Sequence, residues 1–196
     1  MNRDKGPPAQ AEGTTARQQH KKFEGVIRIL SLNVNGLRQK RKVDALAAFI
    51  ASLQEQPDVC ILTETHLLEH ETKNFVLDTY KKAHESCREP TAEQACGGVL
   101  IMVKQHARYR KVNDMPTVAL PLNGCSILVY LYAEDIPAIR ITGLYLPPSA
   151  KPKVEDVAML VNAGSAMTYR GGAVGHLIGG DLNHPSWESE YEEWIG

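Results

Sequence analysis

The chain changes texture at Val26, where small and polar residues give way to short apolar runs. Val26–Val34 (VIRILSLNV) predicts a strand, closed by the turn pair Asn35-Gly36. Val43, Leu46, Ala47, Ile50 and Leu53 then recur at helical spacing, so a helix with one buried face is expected from about Lys42 to Gln54. Pro57-Asp58 stops it. Val59–Thr63 (VCILT) is continuously apolar, the signature of a strand buried on both faces. The stretch from Glu69 to Ala95 is polar and irregular, with room for one short helix. Beyond Gly97-Gly98, Val99–Val103 predicts another strand. Ser126–Ala133 and Ala138–Tyr145 read as a hairpin around Glu134-Asp135-Ile136-Pro137, and Pro147-Pro148 ends its second strand. A further helix over roughly Pro152 to Ala163 puts Val154, Val157, Ala158 and Val161 on one face. Gly171-Gly172 then leads into a last strand, His176–Gly180, ending at Asp181. Strands alternating with helices and interrupted by a hairpin predict an α/β fold of mixed sheets covered by helices.

Ahead of this pattern, Met1 to about Lys22 has almost no large apolar side chain, so residues 1–22 are expected to be a disordered leader to one domain over 23–196. The 22 Lys and Arg against 23 Asp and Glu leave a net charge of −1, which announces no polyanion partner. Phosphate handling on this balance requires local positive charge or a bound metal. Cys60, Cys87, Cys96 and Cys125 form no CxxC pair and no zinc spacing, and they are read as free thiols in a reducing compartment. With no apolar signal segment and no run of about 18 apolar residues, a soluble intracellular protein is expected.

The candidate chemistry lies at the ends of the predicted strands. Asn33 and Asn35 finish the first, Glu64 the second, Tyr145 the hairpin, and Asp181 with Asn183 the last. Rigid strands hold loop residues in place, so these oxygen-rich groups are candidates for one hard-cation and phosphate site. Each also has a plain alternative. Glu64 can solvate a loop, Asn35-Gly36 can be a turn only, and Asp181-Leu182-Asn183 can cap one.

The strings themselves narrow the choice. Leu32-Asn33-Val34-Asn35-Gly36-Leu37 followed by Thr63-Glu64-Thr65-His66 resembles the opening motifs of the endonuclease/exonuclease/phosphatase (DNase I-like) superfamily. Gly143-Leu144-Tyr145-Leu146-Pro147-Pro148 and Gly180-Asp181-Leu182-Asn183 resemble its next two, in order, and the likeness runs from about Ile27 to the C-terminus. Asn at position 35, where abasic-site repair enzymes carry Asp, together with Glu64–Leu67 and His184-Pro185-Ser186-Trp187, is most similar to endonuclease domains of non-LTR retrotransposons.

The resemblance implies an α/β sandwich of two mixed sheets flanked by helices. It also implies Mg²⁺- or Mn²⁺-dependent phosphodiester hydrolysis on DNA. Glu64 is then the principal metal ligand, with Asn35 a weaker one. Asn33 orients the site, Tyr145 donates a proton to the phosphate, Asp181 is the general base or acid, and Asn183 positions water or phosphate. His184 is a candidate substrate contact, His66 a structural or peripheral residue, and Trp187 a packing residue. The family's later strands, second catalytic Asp and terminal Ser-Asp-His string have no counterpart here. The domain is therefore expected to be incomplete at its C-terminus, and this chain alone weak or inactive; the alternatives are a truncated, non-catalytic retroelement remnant or a different phosphodiesterase or phosphatase of the same superfamily. A reverse transcriptase region in a longer polyprotein and a nuclear location follow from the same analogy.

Overall fold

The computed structural model describes residues 26–87, 97–113, 123–130, 138–147, 155–156, 158–159, 162 and 173–183. Eight strands and two helices are defined within them. These are β1 (Ile29–Asn33), α1 (Lys40–Ser52), β2 (Val59–Thr63), α2 (Glu69–Lys73), β3 (Tyr80–Ser86), β4 (Val99–Lys104), β5 (Arg108–Val112), β6 (Asn123–Tyr130), β7 (Ala138–Tyr145) and β8 (Ala173–Asp181). They build two four-stranded sheets, ordered β1-β2-β4-β3 and β5-β6-β7-β8. Each sheet is mixed: β1 runs parallel to β2 and β7 parallel to β8, while the remaining pairs are antiparallel.

Alternation along the strands assigns their faces. Val59 and Ile61 of β2, with Val99, Ile101 and Val103 of β4, meet Cys125, Ile127, Val129 and Ile141 of the second sheet in the central core. The intervening Cys60, Leu62, Leu100 and Met102 point the other way, under Leu46 and Ile50 of α1. That is why β2 and β4 are apolar throughout: both of their faces are covered. Cys60 and Cys125 are buried free thiols, and burial pushes Cys60 up to about 12. The far face of the second sheet is polar inside. Ser126 Oγ lies 2.8 Å from Thr142 Oγ1 and accepts from Arg140 Nε at 2.9 Å, and Thr142 Oγ1 lies 2.8 Å from His176 Nε2.

Two glycines paired across β7 and β8, Gly143 and Gly179, leave room for side chains of the first sheet. A Cβ on Gly143 would stand 2.8 Å from Val99 Cγ1 and 2.9 Å from Ile61 Cγ2; one on Gly179 would stand 2.8 Å from Ile61 Cδ1. Only hydrogen at both positions lets Ile61 seat against the second sheet.

Several predicted elements match with shifted ends. β1 begins at Ile29 rather than Val26, and α1 covers Lys40–Ser52. Two strands were not predicted. β3 (YKKAHES) falls in the stretch expected to be irregular, and β5 (RYRKV) was not recognised. Both are edge strands, where charge replaces the apolar signal. The leader over 1–22 and the turn over 134–137 lie outside the described residues. Of the helix over 152–163, the described residues are 155, 156, 158, 159 and 162, and these are helical.

Gly143→Ala is expected to cost about 1–3 kcal/mol through overpacking against Ile61 and Val99. In thermal melting that corresponds to a drop of roughly 2–4 °C per kcal/mol for a chain of this size. Gly175→Ala, whose Cβ would meet nothing within 4 Å, is the matched control and should melt as the parent does. Equal melting of all three proteins would show that the sheets part freely at Gly143.

Candidate active site

The parallel pair β1–β2 ends at Asn33 and Thr63, and the parallel pair β7–β8 ends at Tyr145 and Asp181. Parallel neighbours finish at the same edge of a sheet, so both sheets deliver their last residues to one rim of the sandwich. Asn33 Nδ2 donates to Asp181 Oδ2 at 2.7 Å, a side-chain bond between residues 148 apart in sequence. The same amide is anchored at its other end, where Asn33 Oδ1 accepts from Asn35 N at 3.0 Å. Asp181 Oδ1 accepts from Asn183 N at 3.0 Å, so both of its carboxylate oxygens are engaged and the group is fixed in orientation. Asn183 Nδ2 in turn donates to the Leu146 carbonyl at 2.8 Å, and Leu146 N donates to the Asp181 carbonyl at 2.9 Å.

The loop after β2 is bound to its neighbours by backbone. Gly36 N donates to Glu64 O at 2.6 Å and Leu37 N to Thr65 O at 2.8 Å. On the other flank, Thr65 N and His66 N donate to Gly98 O and Gly97 O at 3.3 and 3.0 Å. These clamps hold an unfavourable backbone. Among the described residues the non-glycine positions with positive φ are Asn35 (44°), Glu64 (52°), His66 (57°) and Asn183 (46°), and all four belong to this cluster. A glutamate in that region costs about 1–2 kcal/mol, and such strain persists where the surroundings over-determine it.

Glu64 and His66 side chains are 19% and 14% exposed, with His66 Nε2 at 3.8 Å from Glu64 Oε2. The His66 ring lies over Gly36, where a Cβ would come within 2.9 Å of its Nδ1. Lys42, in the first turn of α1, donates its ammonium to the Asn35 carbonyl. No hydrogen bond among the described residues occupies the Glu64 carboxylate. The described residues hold no group of three His, Cys, Asp or Glu side chains able to bind a metal by themselves. The oxygen donors present do fit Mg²⁺ or Mn²⁺, which need one or two carboxylates and keep several waters.

Asn33, Asn35, Glu64, Asp181 and Asn183 therefore share one rim. Tyr145 stands directly behind it: it pairs in register with Asp181, yet only 1% of it is exposed and its ring fills the end of the inter-sheet core. His184 and Trp187 lie outside the described residues. The sequence reading missed Lys42 and the two carbonyls of Gly97-Gly98. The glycine pair was visible as a strand boundary, but not as the clamp on residues 65 and 66.

Solved structures share this architecture. The human Nocturnin catalytic domain, determined with a bound sulfate anion, superposes with a TM-score of 0.57 at 17% identity, covering 87% of this chain and 68% of that one. The AP endonuclease LMAP from Leishmania major gives 0.57 at 21% identity, over 80% and 55% of the two chains. Truncated Caenorhabditis elegans TDP2 gives 0.55 at 14%, over 83% and 64%. The chain thus spans between about half and two thirds of the length of these structures. The fold is the DNase I-like sandwich. No protein-family model matches the chain.

The contact between His66 and Gly36 is open to a double-mutant cycle. Gly36→Ala should cost about 1–2 kcal/mol from its left-handed φ of 88° alone, with the clash against the imidazole in addition. In a His66→Ala background the steric part disappears, leaving a coupling of at least about 0.5 kcal/mol in urea denaturation. Additive costs would place the ring elsewhere.

Proposed function

We propose that the rim is the catalytic centre of a divalent-metal-dependent phosphodiesterase that cuts nucleic-acid backbones, and that its specific form is DNA nicking of the non-LTR retrotransposon type. The observation that carries the first part is the 2.7 Å bond from Asn33 to Asp181, which joins a fixed carboxylate to the strand ends bearing Glu64 and Asn35. The shared fold supports it, since one neighbour is by name an AP endonuclease. The strings Asn33–Leu37, Glu64–Leu67 and His184–Trp187 support the second part.

Glu64 is the main cation ligand in this reading and Asn35 contributes its amide oxygen. When bound, the cation supplies charge neutralisation at the scissile phosphate. The protein's own groups do the rest. Asp181, restrained by Asn33 and Asn183, takes the proton of the attacking water or returns one to the leaving oxygen. Asn33 holds that carboxylate without adding negative charge beside a phosphate. Asn183, with its amide nitrogen committed to Leu146, shapes the turn that presents Asp181. Tyr145 contributes its phenol from the floor of the rim. In-line hydrolysis would leave a 3′-hydroxyl and a 5′-phosphate, and the hydroxyl would prime a reverse transcriptase carried in a longer polyprotein in the nucleus. His66, the imidazole that the described residues place here, stands on the Glu64 side.

Two readouts test the proposal. On supercoiled plasmid, slow Mg²⁺-dependent nicking is expected, abolished by EDTA and reduced by two or more orders of magnitude in Glu64→Gln and in Asp181→Asn. In Mn²⁺ titrations followed by electron paramagnetic resonance, Glu64→Gln should weaken binding at least about tenfold while Tyr145→Phe leaves it intact. Metal affinity indifferent to Glu64→Gln, or hydrolysis that survives EDTA, would sink the assignment.

A further inference from the structure

Among the described residues, two of the four edge strands of the sandwich, β3 and β5, lie together on the side remote from the other two, β1 and β8. Tyr109 on β5 donates its hydroxyl to the Lys82 carbonyl on β3 at 3.2 Å. Both edges are cationic, with Lys81 and Lys82 on β3 and Arg108, Arg110 and Lys111 on β5. The two strands contain one carboxylate, Glu85, and it is engaged by Lys82 at 3.0 Å and Lys111 at 3.6 Å. From Gly97 to Asn113 the sequence has neither Asp nor Glu. Among the described residues no ion pair joins Lys81, Arg108 or Arg110 to a carboxylate. In a chain whose net charge is −1, this is a local concentration of positive charge in which Lys81, Arg108 and Arg110 have no carboxylate partner among the described residues.

The cations are also ordered. Lys81 Nζ lies 5.4 Å from the Tyr109 ring centre and Arg108 Cζ 5.8 Å from that of Tyr130. Arg108 and Arg110 are exposed on the same face of β5, about 6.8 Å apart by strand geometry, close to the distance between neighbouring phosphates on one strand. None of the exposed large apolar side chains among the described residues lies on β3 or β5, so the edge offers nothing to insert into a bilayer. The patch is not part of the catalytic rim. Arg108 aligns through Tyr130 with Ala138, at the opposite end of β7 from Tyr145, roughly 24 Å away along the strand direction.

We propose that the β3–β5 edge is a second nucleic-acid contact, an anchor for the phosphate backbone built from Lys81, Arg108, Arg110 and Lys111. Charge on an edge strand also discourages strand addition. That role requires neither Lys81 and Arg108 set over tyrosine rings nor cations without carboxylate partners among the described residues. The choice of nucleic acid as the polyanion rests on the function proposed above, but the edge binds whether or not the rim cuts.

The test is fluorescence anisotropy with the full chain in EDTA, using labelled duplex and single-stranded oligonucleotides across a salt series. Wild type is expected to bind, with log K falling linearly against log salt. Arg108→Gln with Arg110→Gln should lose about tenfold in affinity at low salt, and the duplex slope should shrink by about 0.9 for each phosphate contact removed. Arg108→Lys with Arg110→Lys should keep most of both. On the unaltered chain, bound duplex should protect Lys81 and Lys111 from acetylation, a readout that needs no variant. Failure of wild type to bind, an unchanged slope in the Gln variant, or binding to phosphatidylserine vesicles that oligonucleotide cannot displace would each overturn the proposal. Self-association of the Gln variant with unchanged DNA affinity would do so too, leaving edge protection as the role. A chain that binds but shows no Glu64-dependent nicking refutes the catalytic reading and leaves this one standing.

Discussion

Ile61 is the residue on which the sandwich turns. Its side chain fills the space that Gly143 and Gly179 leave by having none, and those glycines sit two positions before Tyr145 and Asp181 on their strands. The fit between the sheets is therefore set directly beneath the rim. A 2.7 Å bond between Asn33 of one sheet and Asp181 of the other tolerates little separation of the layers. The apolar contact thus fixes the polar geometry. Burial of Ile61 is non-directional, but the two missing side chains give it one place to go.

The same economy explains where strain is stored. Asn35, Glu64, His66 and Asn183 carry left-handed backbones, and each is tied to a rigid neighbour: Asn35 to Asn33, Glu64 to Gly36, His66 to Gly97, Asn183 to Asp181 and Leu146. β2 and β4, buried on both faces, supply the stability that holds these residues in place. For Glu64 the benefit is orientation. A strand residue one position earlier would follow the pleat, whereas the reversed φ takes Glu64 out of it, with its carboxylate 3.8 Å from His66 Nε2.

Much of this was legible in the sequence. Continuous apolar runs marked β2 and β4, the helical spacing of Val43 to Ile50 marked α1, and β7 was read to its residue limits. β3 and β5 were not legible, because Lys, Glu and Arg dominate strands whose exposed edges need no apolar partner. The candidate residues could be named from strings at strand ends, but their arrangement could not. Nothing local to Asn33 points to a partner 148 residues away, and nothing in Thr63-Glu64-Thr65-His66 reveals two left-handed residues. Tyr145 shows the limit from the other side. Its position in the motif was plain, and its place in the core came from the alternation of β7.

The span of the Asn33–Asp181 bond bears on how the protein comes into being. Both parallel pairs require long connections, and contacts so distant along the chain form late, after local pieces have gained order. On the ribosome, the strand carrying Asn33 emerges first and the one carrying Asp181 after almost everything else described here. Until β8 docks there is no oriented carboxylate, only a partly built sheet with an open edge. A nascent or half-folded copy therefore lacks the joined rim, and Asp181 gains its fixed orientation only when the last strand is in place.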